Sequence, residues 1–220
     1  MSHRPFREQD LLFFGATTAS VSHELKNVIT IINESAGLLH DFATAAERGR
    51  PLDPARVKKT SLDISRNVGR AVDIIDRLNR FAHSADEPVR SVELNRLLRD
   101  VIALAGRTAG LRGRQIDAQV PETAVTVSTY AFGLHQAVFH SLRMAGLSPA
   151  AFPVTVSLVP SGAGAVIRVA PVPAEPSPEA GAIWADLPGW AREIGVEALR
   201  EPDGAIELRV PASLSGLPGP

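Results

Sequence analysis

Apolar residues recur at steps of three and four along the first part of the chain. Leu11, Phe14, Thr18, Val21, Leu25, Val28, Ile32, Ser35, Leu39 and Phe42 form one such series, broken only by small polar residues. This spacing lines one face of an α-helix and predicts a long amphipathic helix. Ala16, Ser20, His23, Asn27, Thr30 and Glu34 run down another side, which is polar apart from Ala16 and carries His23 away from the seam. Gly49-Arg50-Pro51-Leu52-Asp53-Pro54 breaks the pattern, with Asp53 placed as a helix N-cap and Pro54 at the first helical position. A second seam follows at Val57, Ser61, Ile64, Val68, Ala71, Ile75, Leu78 and Ala82. Two long helices joined by a short turn make an antiparallel hairpin. A lone hairpin cannot cover both apolar stripes, so pairing of two copies into a symmetric four-helix bundle, a homodimer, is expected.

After His83-Ser84-Ala85-Asp86-Glu87-Pro88, read as a linker, the periodicity changes. Ser91 to Gly110 predicts a helix, and strand-like runs follow near 115–120, 124–128, 153–159, 165–170 and 205–210. Further helices are expected near 130–146 and 187–199. Pro160-Ser161-Gly162-Ala163-Gly164 reads as a hairpin turn, and Ala170 to Ala182, rich in Pro, Glu and Ala, reads as a loop. The resulting expectation is a helical hairpin over residues 1–84, an α+β domain over 91–212 and a frayed tail over 213–220.

At 220 residues the chain can bury a real core in one or two domains. The 23 basic and 24 acidic residues nearly balance, and no basic block directs the chain to nucleic acid. There are no cysteines, which excludes disulfides and thiolate metal sites. Met1 to Phe6 lacks the apolar core of a signal peptide, and no run approaches the ~18 apolar residues of a membrane span. A soluble, cytoplasmic protein with no membrane sensor of its own is expected.

The chemistry concentrates at Ser22-His23-Glu24-Leu25-Lys26-Asn27. An imidazole can take a phosphoryl group on one ring nitrogen while the other holds a hydrogen bond to a carboxylate. Glu24, about 100° round the helix, could fix the ring's tautomer and take up a proton. Asn27 lies one turn on and can hydrogen-bond a water or a phosphoryl oxygen without adding charge. The spacing does not make a zinc protease, because Asn27 replaces the second histidine of H-E-x-x-H. His3, His40, His83, His135 and His140 read as structural or solvent-exposed.

The segment Ala19 to Thr30 resembles the phosphoacceptor box of bacterial two-component histidine kinases. The resemblance continues through the long hairpin into the outline of an ATPase-like α/β sandwich. In that family the acid after the histidine promotes autokinase chemistry, and a Thr or Asn three positions beyond it promotes phosphatase chemistry; Glu24 and Asn27 match. Val28 stands where the family usually has proline, which implies a straighter helix. Ser91 to Leu98 resembles the opening helix of the second domain, and Leu134 to Ala145 resembles its "N box" helix. The hairpin at 153–170 and the segment Pro188 to Val210 resemble the later strands and last helix.

The family's nucleotide chemistry has no counterpart here. The magnesium-holding asparagines align with His140 and Met144, and a thioether is no ligand for a hard cation. Ala170-Pro171-Val172-Pro173-Ala174 replaces the adenine-reading Asp-x-Gly-x-Gly. Leu187-Pro188-Gly189-Trp190 stands in place of a glycine-rich phosphate loop. The resemblance therefore implies a dimeric phosphotransferase with a degenerate domain, no ATP binding and no intrinsic cofactor. His23 would exchange phosphoryl with an aspartate of a response-regulator receiver, which brings the magnesium. The docking surface would include Lys26, Thr30, Ile31, Glu34 and Ser35. Two other readings are an ATP-dependent histidine kinase with an atypical nucleotide site and a non-catalytic receiver-binding scaffold.

Overall fold

The computed structural model describes residues 7–87, 89–108, 114–148, 153–162, 164–173 and 177–214. His3 and the rest of the first six residues, Pro88, Gly110, Ala163, Ala174 and the tail from 215 lie outside them. The chain divides into two packing units, one of Met1–Thr17 with Phe81–Pro220 and one of Thr18–Arg80. The division falls inside the two long helices rather than at the linker. Among the described residues, no helix is long and apolar enough to cross a membrane.

The 18–80 unit is the antiparallel hairpin. Its first helix, α1 (Glu8–Glu47), runs 40 residues without interruption through Val28, about 60 Å at ~1.5 Å per residue. Its second, α2 (Pro54–His83), starts as the sequence dictates: the Asp53 carboxylate accepts from the backbone N–H of Ala55 at 2.9 Å, and Pro54 opens the helix. Near the turn, the Arg56 guanidinium lies 4.8 Å from the centre of the Phe42 ring. Further from the turn, Arg70 reaches Glu24. This order of contacts is that of antiparallel helices.

Val21 and Val28 of α1 are buried in the hairpin, with Leu25, Ile32, Leu39 and Phe42 half-buried, as the first seam predicts. The second seam is displaced. On α2 the buried positions are Thr60, Ile74 and Phe81, with Val57, Ile64, Asn67, Ala71 and Leu78 half-buried, while Ser61, Val68 and Ile75 are exposed. Adjacent residues sit 100° apart on a helix, so the predicted seam mixed two stripes. One faces α1; the other, with Val68, Val72 and Ile75, is exposed in the single chain.

The other unit is an α/β sandwich. Strand β1 (Arg90–Glu93) precedes helix α3 (Leu94–Thr108), so the predicted helix from Ser91 opens instead as a short strand. Then follow β2 (Ile116–Gln119), β3 (Thr126–Thr129), α4 (Ala131–Gly146), β4 (Val154–Ser161), β5 (Gly164–Ala170), α5 (Pro178–Glu193), β6 (Glu197–Glu201) and β7 (Ala205–Pro211). The main sheet has the order β2-β4-β5-β7-β6; β2 and β4 are parallel and the other neighbours antiparallel. β1 and β3 form a separate antiparallel pair. Val154, Val156 and Leu158 alternate with more exposed residues on β4, as do Ala165, Ile167 and Val169 on β5, so one face of the sheet is buried. α4 packs against both α3 and α5 and against the sheet, and nearly all of its side chains are buried.

The expected loop at 170–182 and helix at 187–199 are both corrected. α5 already begins at Pro178, where Ser177 caps the N–H of Ala180 at 3.2 Å. Proline is favoured at this first position, so the residue that suggested a loop starts the helix. Gly195, at φ +70°, follows the helix end, and 197–201 is strand. The first turns of α1 also belong to this unit: Phe13 is buried among Phe81, Phe132 and Phe139 at ring-centre distances of 5.5, 5.7 and 5.0 Å.

Candidate functional site

The polar side of α1 lies where the periodicity puts it. His23, Asn27, Thr30 and Glu34 are all exposed along one line of the helix, and Lys26 and Ile31 flank it, also exposed. Ser35, grouped with them in the sequence, is half-buried on the hairpin seam instead. The hydroxyls of Ser22 and Thr30 donate to the carbonyls one turn back, Thr18 at 2.8 Å and Lys26 at 3.0 Å, and so are satisfied within the helix. The His23 ring makes no hydrogen bond among the described residues, so both its nitrogens are open to solvent or to a reagent.

Glu24 has a different partner from the one the sequence suggested. Its Oε1 accepts from the Arg70 guanidinium across the hairpin at 2.8 Å rather than from the neighbouring imidazole. The Glu24 side chain is 23% exposed and that of Arg70 49%, so the pair sits at the edge of the hairpin seam, beside His23. Arg70 is the site residue that sequence reasoning missed. The available signal was a basic residue on α2 at the height of Glu24 in an antiparallel hairpin.

His140 and Met144, which the sequence resemblance set against a family's metal-holding asparagines, are both used in packing. Met144 is fully buried. The His140 ring lies 4.8 Å from that of Trp190 and 5.8 Å from that of Phe139, and its Nδ1 is buried without a partner. Burial lowers its pKa from 6.5 to about 4, with a smaller push from the Arg143 charge, so the ring is neutral at pH 7. His135, one turn and a half earlier, is likewise lowered to about 4 by burial, against the opposing effect of its hydrogen bond to the Ala131 carbonyl at 2.8 Å. Leu187-Pro188-Gly189-Trp190 lies inside α5 rather than before it. Only residues 171–177 connect β5 to α5, and Val172 among them is buried.

No protein-family model and no curated protein matches the chain. Among solved structures, it is similar to the Acinetobacter baumannii histidine kinase AdeS at 12% identity and a TM-score of 0.47, over 86% of this chain and 98% of that one. It is similar to the ATP-binding domain of PrrB from Mycobacterium tuberculosis at 22% identity and a TM-score of 0.44, over 57% of this chain and 98% of that one. A mycobacterial sensor histidine kinase, MprB, aligns at 18% identity and a TM-score of 0.43, over 56% of this chain and 97% of that one.

Proposed function

We propose that the chain is a dimeric histidine phosphotransferase of a two-component phosphorelay, with His23 as the phosphoacceptor. The observation that carries this reading is His23 itself: an imidazole with no hydrogen bond among the described residues, exposed near the middle of an unbroken helix and followed along the same line by Asn27, Thr30 and Glu34. A rigid helix fixes the point from which such a ring reaches out, which favours in-line attack on a phosphoryl group presented by a docked partner. A ring nitrogen attacks phosphorus, the N–P bond forms, and the P–O bond to the receiver aspartate breaks to release its carboxylate. The other ring nitrogen keeps its proton, so the product is a phosphorylated imidazolium whose N–H can donate to a nearby carboxylate. The receiver's magnesium, when bound, neutralises the phosphoryl oxygens. Among the described residues of this chain, no three His, Asp or Glu side chains come together to hold such an ion. On the same reading, Asn27 would orient a water that hydrolyses the receiver's aspartyl phosphate, so that phosphoryl is lost rather than passed on.

Phosphoryl supply by a partner, rather than by ATP, is supported by the buried thioether of Met144 and by the packing of His140 against Trp190. Dimerisation is supported by the second apolar stripe of α2, where Val68, Val72 and Ile75 would pack in the centre of a four-helix bundle. The test is incubation with phosphorylated receivers and, separately, with labelled ATP, followed by an assay of acid-labile phosphate. Label should pass from a receiver to the wild type and not to His23→Ala. Label on His23 from ATP alone would replace this reading with that of a kinase. A His23→Ala variant that leaves both receiver binding and pathway output unchanged would replace it with that of a scaffold.

A further inference from the structure

We propose that Arg70 is a partner-switching cation: it holds Glu24 while His23 is bare and moves to the phosphoryl oxygens once His23 carries them. The inference rests on His23 being the phosphoacceptor. Its own observation is the Arg70–Glu24 hydrogen bond, 2.8 Å across the hairpin. That contact places a guanidinium from α2 next to the residue that follows His23 in the chain.

Three features make this pair suited to exchange. First, a single guanidinium nitrogen contacts a single carboxylate oxygen in the 2.8 Å hydrogen bond, which leaves most of the five N–H donors of arginine free for a second acceptor. Second, both side chains reach solvent, and an exposed ion pair is held weakly enough to be exchanged. Third, a phosphoryl group on His23 adds close to two negative charges and three acceptor oxygens, against the one charge of Glu24. Arginine forms charge-assisted, bidentate bonds to such oxygens, so the phosphoryl group outcompetes the carboxylate for it.

The neighbouring cations are less well placed for this. Arg66, one turn earlier on α2, is paired with Asp63 of its own helix. Lys26 is on α1, exposed, and offers a point charge rather than a fork. The exchange has a second effect. Glu24, released from Arg70, becomes free to accept the N–H of the phosphorylated ring, so the acid engages His23 only after transfer. Arg70 is thereby a positioning residue that stabilises the phosphorylated state.

The test does not depend on finding the partner. Potassium phosphoramidate transfers its phosphoryl group to an exposed imidazole, forming the N–P bond as ammonia leaves. The full chain is treated with it as wild type, Arg70→Ala, Arg70→Gln, Arg70→Lys and Lys26→Ala, with His23→Ala to identify the signal of His23. After removal of the reagent, the ³¹P resonance and half-life of the phosphohistidine are followed. In Arg70→Ala and Arg70→Gln the half-life should fall roughly threefold to tenfold, the scale of one exposed charge-assisted contact. The ³¹P resonance should move as well. Arg70→Lys should lie between these and wild type, and Lys26→Ala should match wild type. Far-ultraviolet circular dichroism checks that each variant stays helical, as expected for a half-exposed position. Equal half-lives and resonances in wild type and Arg70→Ala would overturn the proposal, as would the full effect appearing in Lys26→Ala. Failure of every receiver to phosphorylate the wild type would refute the phosphotransferase reading, while the phosphoramidate result would still decide the role of Arg70.

Discussion

Acid should unfold the α/β unit earlier than its carboxylates alone would bring about, because two histidines are held neutral inside it. His135 and His140 are each lowered from 6.5 to about 4, chiefly by burial. Below pH 6.5 the unfolded chain binds protons at these sites and the folded chain does not, so stability falls as pH falls, and the loss is complete below about 4. At ~1.36 kcal/mol per pH unit, the drop from pH 6.5 to 5 costs about 2 kcal/mol for a fully buried histidine such as His135. His140, which borders a more open surface, contributes less. A combined loss of about 3 kcal/mol is a large share of the ~5–15 kcal/mol typical of a domain. The assay is urea unfolding at pH 7.5, 6.5, 5.8 and 5.0 at one protein concentration, because any dimerisation makes stability concentration-dependent. His135→Asn keeps a donor for the Ala131 carbonyl but cannot titrate. His140→Phe removes the unpartnered nitrogen beside Trp190 and should cost little at pH 7.5. The double variant should be flatter between pH 6.5 and 5 than the wild type by about 3 kcal/mol. Parallel pH curves for the two proteins, or His135 and His140 ring resonances that titrate near 6.5 in the wild type, would refute the reasoning.

Phe13→Ala should destabilise the α/β unit by about 3–5 kcal/mol, as expected for a buried aromatic with three phenylalanine neighbours and the His140 ring, whereas Leu12→Ala at an exposed position should stay within about 0.5; urea unfolding read by the fluorescence of Trp184 and Trp190 compares them. Asn95→Ala should cost about 2–4 kcal/mol, measured in the same way. Its buried amide donates to the carbonyls of Pro121 and Thr123 and accepts from the N–H of Val125, and their partners would be left unpaired. Val68→Glu with Val72→Glu should shift the protein from dimer to monomer in sedimentation equilibrium while leaving the α/β unit folded; an unchanged dimer would move the interface elsewhere.

The helices and the His23 face were legible because a period of 3.6 residues is a local property, visible over a long run. The exposed line of His23, Asn27, Thr30 and Glu34 follows directly from it. Two short strands with little pattern of their own were not visible, although β2 and β3, which also pair at long range, were. β1 is four residues long and exists through its pairing with β3, and β6 through its pairing with β7. Proline misled in one place, since Pro178 begins a helix where its composition suggested a loop. The second seam slipped because α2 carries apolar residues on two adjacent stripes, and spacing alone does not say which one faces α1. At the site, Arg70 escaped notice because it meets Glu24 from 46 residues away.

The exposed line on α1 has a consequence for how such a protein can change. Its side chains satisfy themselves within the helix or point into solvent, as Thr30 does through the Lys26 carbonyl. Substitutions along it therefore disturb folding by only about 0.5 kcal/mol or less. Selection can rewrite these positions one at a time without compensating changes in the core. On the proposed phosphotransferase reading, a duplicated copy could drift toward a different receiver while keeping the same scaffold and the same histidine, almost independently of stability.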